Sequence, residues 1–158
     1  MTVTEDELLT DHQQNVTFGI VHKQPAAIVI PWDGNKFTMI KQYRYAVDFD
    51  SWEFPAGHYE QNSIYKTAQL ELQEEAGLVA SSLKEIGVYH IAPGHLTQVC
   101  HIFLATDLSP VPRQLEQSEL GMEVSSFTPQ QVDGMIINGT IKDGLTITAK
   151  KFFDLMVT

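Results

Sequence analysis

Three glutamates within five residues form the densest group of chemically useful side chains in the sequence. They are Glu71, Glu74 and Glu75, in the stretch AQLELQEEAGL at residues 68–78. Residues three or four apart share one face of a helix, so a helix here projects Glu71 together with each of the other two. Such a cluster is either a solvated acidic face or a set of oxygen ligands for a hard cation, Mg²⁺ or Mn²⁺.

The apolar residues of the same segment favour the metal site. At about 100° per residue, Ile64, Ala68 and Leu72 fall on the same half of the predicted helix as Glu71 and Glu75. Carboxylates that face a core are rare unless a partner compensates their charge. A divalent cation is the partner that this pattern predicts.

The glutamates are predicted to lie on a helix from about Ile64 to Ala76. Ser63 or Asn62 can cap its start, and Gly77 stands where helices commonly end. The segments predicted as strands are 16–22, 26–30, 36–43, 82–92, 98–108 and 122–128.

The rest of the chain completes a single α/β (α+β) domain. Asp-Gly within residues 32–35 predicts that 26–43 form a hairpin. Two further helices are expected, one beginning at Thr128-Pro129 and running through Ile137, the other from about Leu145 to Met156. We expect a polar lead-in over residues 1–15 and one domain over 16–158.

Composition limits the classes of partner. The 158 residues include 20 acidic and 10 basic side chains, for a formal net charge of -10. This balance argues against general binding to nucleic acid or anionic membranes, which need Lys and Arg clusters. No apolar run approaches the roughly 20 residues that span a bilayer. Cys100 is the single cysteine, so no intramolecular disulfide can form, and a cytoplasmic location is expected.

The glutamate helix and the run before it resemble the signature box of the Nudix hydrolases, G-x5-E-x7-R-E-U-x-E-E-x-G-U, where U is apolar. The stretch ELQEEAGL matches the second half of the motif, and Gly57 matches its leading glycine. The first glutamate of the motif falls on Ser63 and its arginine on Leu70, and the box is one residue short between Gly57 and Glu71.

Segments outside the box are similar to the ADP-ribose and ADP-sugar pyrophosphatase branch of that family. They are MIKQYRYAV, PAG, APGHLTQVCHIFLATDL and IINGTIKDGLTITA, and the likeness covers roughly residues 16–156. The resemblance implies a Nudix-type α/β/α sandwich with a mixed β-sheet. It also implies a metal-dependent hydrolase that cleaves the pyrophosphate of a linked nucleoside diphosphate, with ADP-ribose or another ADP-sugar giving AMP and a sugar phosphate. A homodimer is expected by resemblance alone.

The resemblance assigns the metal-binding residues. Glu71 and Glu75 are the first-choice ligands of Mg²⁺ or Mn²⁺, and the carbonyl of Ala56 is a third. Glu74 is either a further ligand or an electrostatic partner.

The resemblance places the general base on a loop after the box. Glu116, Glu119 and Glu123 are available there, and Glu119 fits best by position. A solvated acidic loop is the equal alternative. Gln98 stands where some relatives carry another acid, and a carboxamide cannot act as a base.

Substrate contacts are expected from residues before the box. Arg44 matches the Q-Y/F-R element of the branch, and Glu53 could accept a hydrogen bond from an adenine amino group or a ribose. Trp52 or Tyr43 could stack on a base, with packing in the core as the alternative that is more common for aromatic residues beside a turn. The open alternative is a Nudix-fold domain that binds a nucleotide-like ligand as a sensor without efficient catalysis. The departures at Ser63 and Leu70 favour that alternative.

Overall fold

The computed structural model describes residues 1–59, 63–114 and 121–157, and these form nine β-strands and three α-helices. The strands are β1 (Thr2–Leu9), β2 (Asn15–His22), β3 (Ala26–Pro31), β4 (Phe37–Arg44), β5 (Phe49–Glu53), β6 (Ala56–His58), β7 (Leu78–His90), β8 (Val99–Pro110) and β9 (Glu123–Phe127). The helices are α1 (Ile64–Ala76), α2 (Pro129–Ile137) and α3 (Gly144–Val157), and a short 3₁₀ helix (Tyr45–Val47) joins β4 to β5.

A mixed four-stranded sheet, in the order β6-β3-β8-β7, forms the centre of the fold. Strand β3 runs parallel to β8 and antiparallel to β6, and β7 runs antiparallel to β8. All six residues of β3 are buried, as expected for an apolar run covered on both faces. The predicted α/β (α+β) class with a mixed sheet is confirmed.

Side chains of β3 alternate between the two faces of the sheet, and helices pack on both faces. Ala27 and Val29 pack with Ala68 and Leu72 of α1. The residues between them, represented by Ile28, belong to the cluster that includes the buried residues of α2 and α3. Helix α1 is thereby fixed against one face of the central sheet, with its carboxylates near the end of β3 that pairs with β6.

The turn predicted within residues 26–43 is present, but the strands on either side of it do not pair as the predicted hairpin. Oδ1 of Asp33 accepts hydrogen bonds from the N–H groups of Asn35, at 2.8 Å, and Lys36, at 2.7 Å. In the described chain, however, pairing between the two strands is limited to a bridge between Trp32 and Phe37. Strand β4 lies in a separate sheet, in the order β5-β4-β9, because both edges of β3 are already bonded to β6 and β8.

The N-terminal residues that were expected to be a polar lead-in form strand β1. It pairs antiparallel with β2, from Thr2 opposite His22 to Leu9 opposite Asn15. Most residues of β1 are exposed. A strand that is solvated on both faces lacks the alternation of apolar and polar residues by which strands are recognised.

The helix predictions are confirmed. Helix α1 has Ser63 at its N-cap, without a side-chain capping bond, and Gly77 at its C-cap with a left-handed φ of 67°. Thr128 caps α2 and forms a reciprocal capping box with Gln131. None of the helices in the described ranges is long and apolar enough to cross a membrane.

Candidate active site

A cavity of about 1000 Å³ lies where the central sheet, the β4–β5 strands and the first turn of α3 meet. All three glutamates of the box line it, together with Ala56 and Gly57 of β6. The structure therefore brings these residues, which the sequence singled out, to one cavity. They occupy the wall that α1 contributes.

Glu75 is the most deeply held of the three carboxylates, with 3% of the residue exposed. Its Oε2 accepts a hydrogen bond of 2.9 Å from the backbone N–H of Ala56. Ala56 is positioned by the buried turn before it, where the carbonyl of Pro55 accepts a hydrogen bond of 2.9 Å from the N–H of Val29. Strand β6 and helix α1 are thus joined through the carboxylate of Glu75.

Gly57 is a glycine because the carboxylate of Glu71 lies against its Cα. A Cβ built at position 57 would overlap Oε1 and Cδ of Glu71 and would lie 2.8 Å from Oε2. This close approach explains the leading glycine of the box on steric grounds. Glu71 and Glu74 are both half-buried at the cavity wall.

The donors at this wall suit a magnesium-type ion that shares its coordination with substrate. Within residues 1–59, 63–114 and 121–157, no three His, Cys, Asp or Glu side chains cluster tightly enough to hold an ion by themselves. Mg²⁺ is usually bound through one or two carboxylates, with waters and substrate phosphates completing its octahedron. Glu71, Glu75 and backbone oxygen supply hard ligands of that kind, so the donor set fits.

Arg44 and Glu53 form an ion pair on another wall of the cavity. Nε of Arg44 donates to both carboxylate oxygens of Glu53, at 3.0 and 3.1 Å, and Nη2 donates to Oε2. Burial raises the pKa of Glu53, and the hydrogen bonds from Arg44 oppose that rise. The same hydrogen bonds raise the pKa of Arg44. Glu53, predicted to contact the base or ribose, is instead engaged with Arg44.

The structure places Trp52 and Tyr43 away from the cavity. Ser51 and Glu53 of β5 are buried and line the cavity, so Trp52 between them faces the other side of the sheet. Its ring packs edge-to-face on Phe127, with centroids 4.9 Å apart. The hydroxyl of Tyr43 donates to Asp48 at 2.7 Å. The expected base stacking therefore has no support at Trp52.

Residues at the start of α3 complete the cavity, and no site role was predicted for them. Oδ2 of Asp143 accepts the N–H of Thr146 at 2.7 Å, as an N-cap does, and Oγ1 of Thr146 accepts the N–H of Phe54 at 3.0 Å. These bonds tie α3 to the turn before β6. Lys142 holds its Nζ 4.3 Å from the ring centroid of Phe49, and both line the cavity. An aspartate just before the first apolar residue of a predicted helix was a readable N-cap signal.

The candidates for the general base are mostly beyond the described structure. Glu116 and Glu119 lie outside the described residues. Glu123 is exposed, and its Oε1 accepts a hydrogen bond of 3.2 Å from Nζ of Lys41. Gln98 lines the cavity, is buried, and donates from Nε2 to the carbonyl of Gln24 at 2.8 Å. The base thus stays a prediction.

The chain matches one family model and several known proteins. The family model of the NUDIX domain matches residues 22–146. The chain is similar to an ADP-ribose pyrophosphatase of Bacillus subtilis, with 30% identity over 139 residues that cover 86% of this chain and 75% of that protein. It is also similar to an ADP-ribose pyrophosphatase of Mycobacterium tuberculosis, with 29% identity over 81% of this chain and 63% of that protein.

Two further matches extend the comparison. A methanol dehydrogenase activator of Bacillus methanolicus is 26% identical over 85% of this chain and 74% of its own length. A crystal structure described as an ADP compounds hydrolase has the same fold, with a TM-score of 0.89 and 16% identity over 98% of this chain and 85% of that one. The chain therefore belongs to the Nudix family, and among Nudix pyrophosphohydrolases it resembles the ADP-ribose pyrophosphatase branch.

Proposed function

We propose that this protein is a Mg²⁺- or Mn²⁺-dependent hydrolase that cleaves ADP-ribose, or another ADP-sugar, to AMP and a sugar phosphate. One observation carries the proposal: a single cavity brings the carboxylates of α1 together with the guanidinium of Arg44. The first group suits a divalent cation, and the second suits a phosphate oxygen. A diphosphate can engage both at once.

The charges around the cavity support a substrate that binds with its own cation. Glu71, Glu74 and Glu75 are concentrated on α1, whereas Lys23, Arg44 and Lys142 lie on the other walls. A bare diphosphate would be repelled by the carboxylates. A metal ion held by Glu71, Glu75 and the carbonyl of Ala56 would neutralise the diphosphate, orient it and lower the pKa of a bound water.

The protein's own groups then have distinct tasks. The backbone N–H of Ala56 holds Glu75 in one orientation, and Gly57 leaves room for the carboxylate of Glu71. Arg44 binds a phosphate oxygen through donors that Glu53 does not use. Glu119 is proposed as the group that accepts the proton of the attacking water, by position in the family alone.

The second candidate function is a nucleotide-binding sensor without efficient catalysis. Ser63 and Leu70 stand where the motif carries its first glutamate and its arginine. The two candidates make different predictions for hydrolysis and the same prediction for binding.

The experiment measures AMP release from a panel of ADP-sugars, with Mg²⁺ or Mn²⁺ and at high protein concentration. Release of AMP from ADP-ribose supports the hydrolase; tight binding of ADP-ribose without release supports the sensor. Glu75→Gln is expected to lower kcat by roughly 10²-fold or more, as loss of precise ligand positioning does. Glu85→Gln is the matched control, because Glu85 is exposed on the edge strand β7, pairs with His101 of β8 and does not line the cavity.

Two expectations belong to the same proposal and rest on resemblance and composition. One is a homodimer, which size-exclusion chromatography with light scattering tests directly. The other is a cytoplasmic location, which fractionation of cells expressing the chain would test.

A further inference from the structure

We propose that Glu53 is a positioning residue that acts on substrate only through Arg44. It fixes the guanidinium along the Nε–Nη2 side, so that the remaining N–H donors are presented to an oxygen of the diphosphate. The inference rests on the proposed function for the identity of the ligand. It replaces the direct contact with base or ribose that sequence analysis assigned to Glu53.

The geometry of the pair supports this role. Glu53 engages Nε through both oxygens and Nη2 through one. A guanidinium has five N–H donors in a rigid fork. Engagement of Nε and Nη2 leaves both hydrogens of Nη1 and the second hydrogen of Nη2 beyond the reach of Glu53. Those donors are adjacent in the plane and match two oxygens of one phosphate.

The exposure of the pair is asymmetric in the way that positioning requires. The side chain of Glu53 is 3% exposed, whereas that of Arg44 is 43% exposed. A buried carboxylate is unfavourable without a charged partner. Glu53 therefore needs Arg44 for its own burial, while Arg44 retains a solvated side at the cavity.

Neighbouring charges act on the ion pair between Arg44 and Glu53. Burial is the main cause that raises the pKa of Glu53, the hydrogen bonds of Arg44 lower it, and the negative charge of Asp143 raises it again. Asp143 is itself fixed by capping α3. Arg44 is thus held against Glu53 by a carboxylate that is itself near other acidic groups, whereas an unpaired arginine side chain would lose rotamer freedom on binding.

A double-mutant cycle tests the coupling. The four proteins are wild type, Glu53→Gln, Arg44→Lys and the double variant. The binding readout is the affinity for ADP in the presence of Mg²⁺, measured by isothermal titration calorimetry, and AMP release in the same samples reports whether any ADP is hydrolysed. The second readout is the division between KM and kcat for ADP-ribose with Mg²⁺.

We expect Arg44→Lys to weaken ADP binding by about tenfold, since it removes a bidentate contact. Glu53→Gln is expected to weaken binding by about three- to tenfold, and to add less than twofold when Arg44 is already lysine. KM for ADP-ribose should follow the same pattern. The melting temperatures of all four proteins report on folding, and if Glu53→Gln does not fold, Glu53→Asp takes its place in the cycle with the same expected coupling.

Three outcomes overturn the inference. One is normal ADP affinity in Glu53→Gln, another is an additive loss in the double variant, and the third is the absence of ADP binding by wild type. Failure of this inference can be told apart from failure of the proposed function. If the protein hydrolyses ADP-ribose but the two substitutions weaken ADP binding additively, only the role of Glu53 is refuted. Coupled ADP binding without hydrolysis would refute only the enzyme.

Discussion

The contact between Gly57 and Glu71 allows a test of the proposed metal site that leaves every carboxylate in the sequence. Gly57→Ala adds one methyl group at the point where Oε1, Cδ and Oε2 of Glu71 lie. Real Cβ atoms essentially never approach other heavy atoms within 3.0 Å. The alanine and the present position of the Glu71 carboxylate are therefore incompatible.

The structure also indicates which of the two will move. The atoms in conflict are at the far end of a flexible side chain, so the carboxylate can withdraw without a shift of backbone. To bring the overlapping atoms beyond 3.0 Å it must move by more than about 1 Å, and a misplacement of that size costs roughly 10²-fold in rate. The same displacement should weaken the affinity for Mg²⁺, in the range of about 10- to 100-fold found when metal ligands lose their orientation.

The assay is the hydrolysis of ADP-ribose across a titration of Mg²⁺, with the free energy of unfolding measured in urea. We expect kcat to fall and the half-saturating Mg²⁺ concentration to rise, while stability changes by less than about 1 kcal/mol. Gly134→Ala is the matched control, because a Cβ at Gly134 meets nothing within 4 Å on the exposed side of α2. That control should retain full activity and gain about 0.4–1 kcal/mol of stability.

Full activity with an unchanged Mg²⁺ requirement in Gly57→Ala would refute a metal-binding role for Glu71. A large loss of stability would instead refute the assumption that the carboxylate of Glu71 moves while the backbone of strand β6 stays in place. The two results are distinguishable because urea unfolding and Mg²⁺ titration are measured on the same protein.

Two further predictions concern helices α2 and α3. Thr128→Ala removes the side-chain acceptor of the α2 capping box and should destabilise the protein by about 1 kcal/mol in urea, with kcat unchanged. Lys150→Met removes the buried ammonium that donates to Asp133 and Asp154 and should cost roughly 1–3 kcal/mol. Burial lowers the pKa of Lys150, but the hydrogen bonds to Asp133 and Asp154 outweigh burial and leave the pKa raised. The greater stability of wild type over Lys150→Met should therefore be present below about pH 10.4, and it should be lost as pH rises through the pKa of the folded state. An advantage that persists unchanged at higher pH would contradict this assignment.

Local signals predicted the helix that carries the carboxylates. The apolar period placed Ala68 and Leu72 on the buried side, and both are almost fully buried. Glu75 shares that side and is 3% exposed. Gly77 ends the helix in the left-handed conformation that favours glycine. Each of these properties depends on residues within a turn or two of one another, so the sequence is sufficient to predict them.

The pairing of β3 depends on distant residues and could not be inferred in the same way. The turn at Asp33 is encoded locally by its side-chain hydrogen bonds. The partner of β3, by contrast, is set by competition among strands, and Ile28 lies opposite Ile102 of β8. Neither partner of β3 is adjacent to it in the sequence, since β2 and β4 flank it while β6 and β8 pair with it.

The assignment of Trp52 and Glu53 to one substrate site conflicts with strand geometry. Successive side chains on a strand point to opposite faces, so two neighbours on β5 cannot both face the cavity. The burial of Ser51 and Glu53 determines which set faces inward. Alternation alone would have shown that one of the two assignments was wrong; the choice between them required the packing of Trp52 on Phe127.

The departures from the family motif occur away from the contacts that hold the carboxylates. Leu70, in the place of the arginine, lines a separate cleft of about 390 Å³ on the other side of α1, with Leu72 and Leu83. Ser63 occupies the N-cap of α1 and makes no capping bond with its side chain. The positions of Glu71 and Glu75 instead depend on β6, through the close approach of Gly57 and the N–H of Ala56. Because these contacts do not involve the substituted positions, loss of the motif arginine is a weak argument for an inactive domain, and the geometry favours the hydrolase.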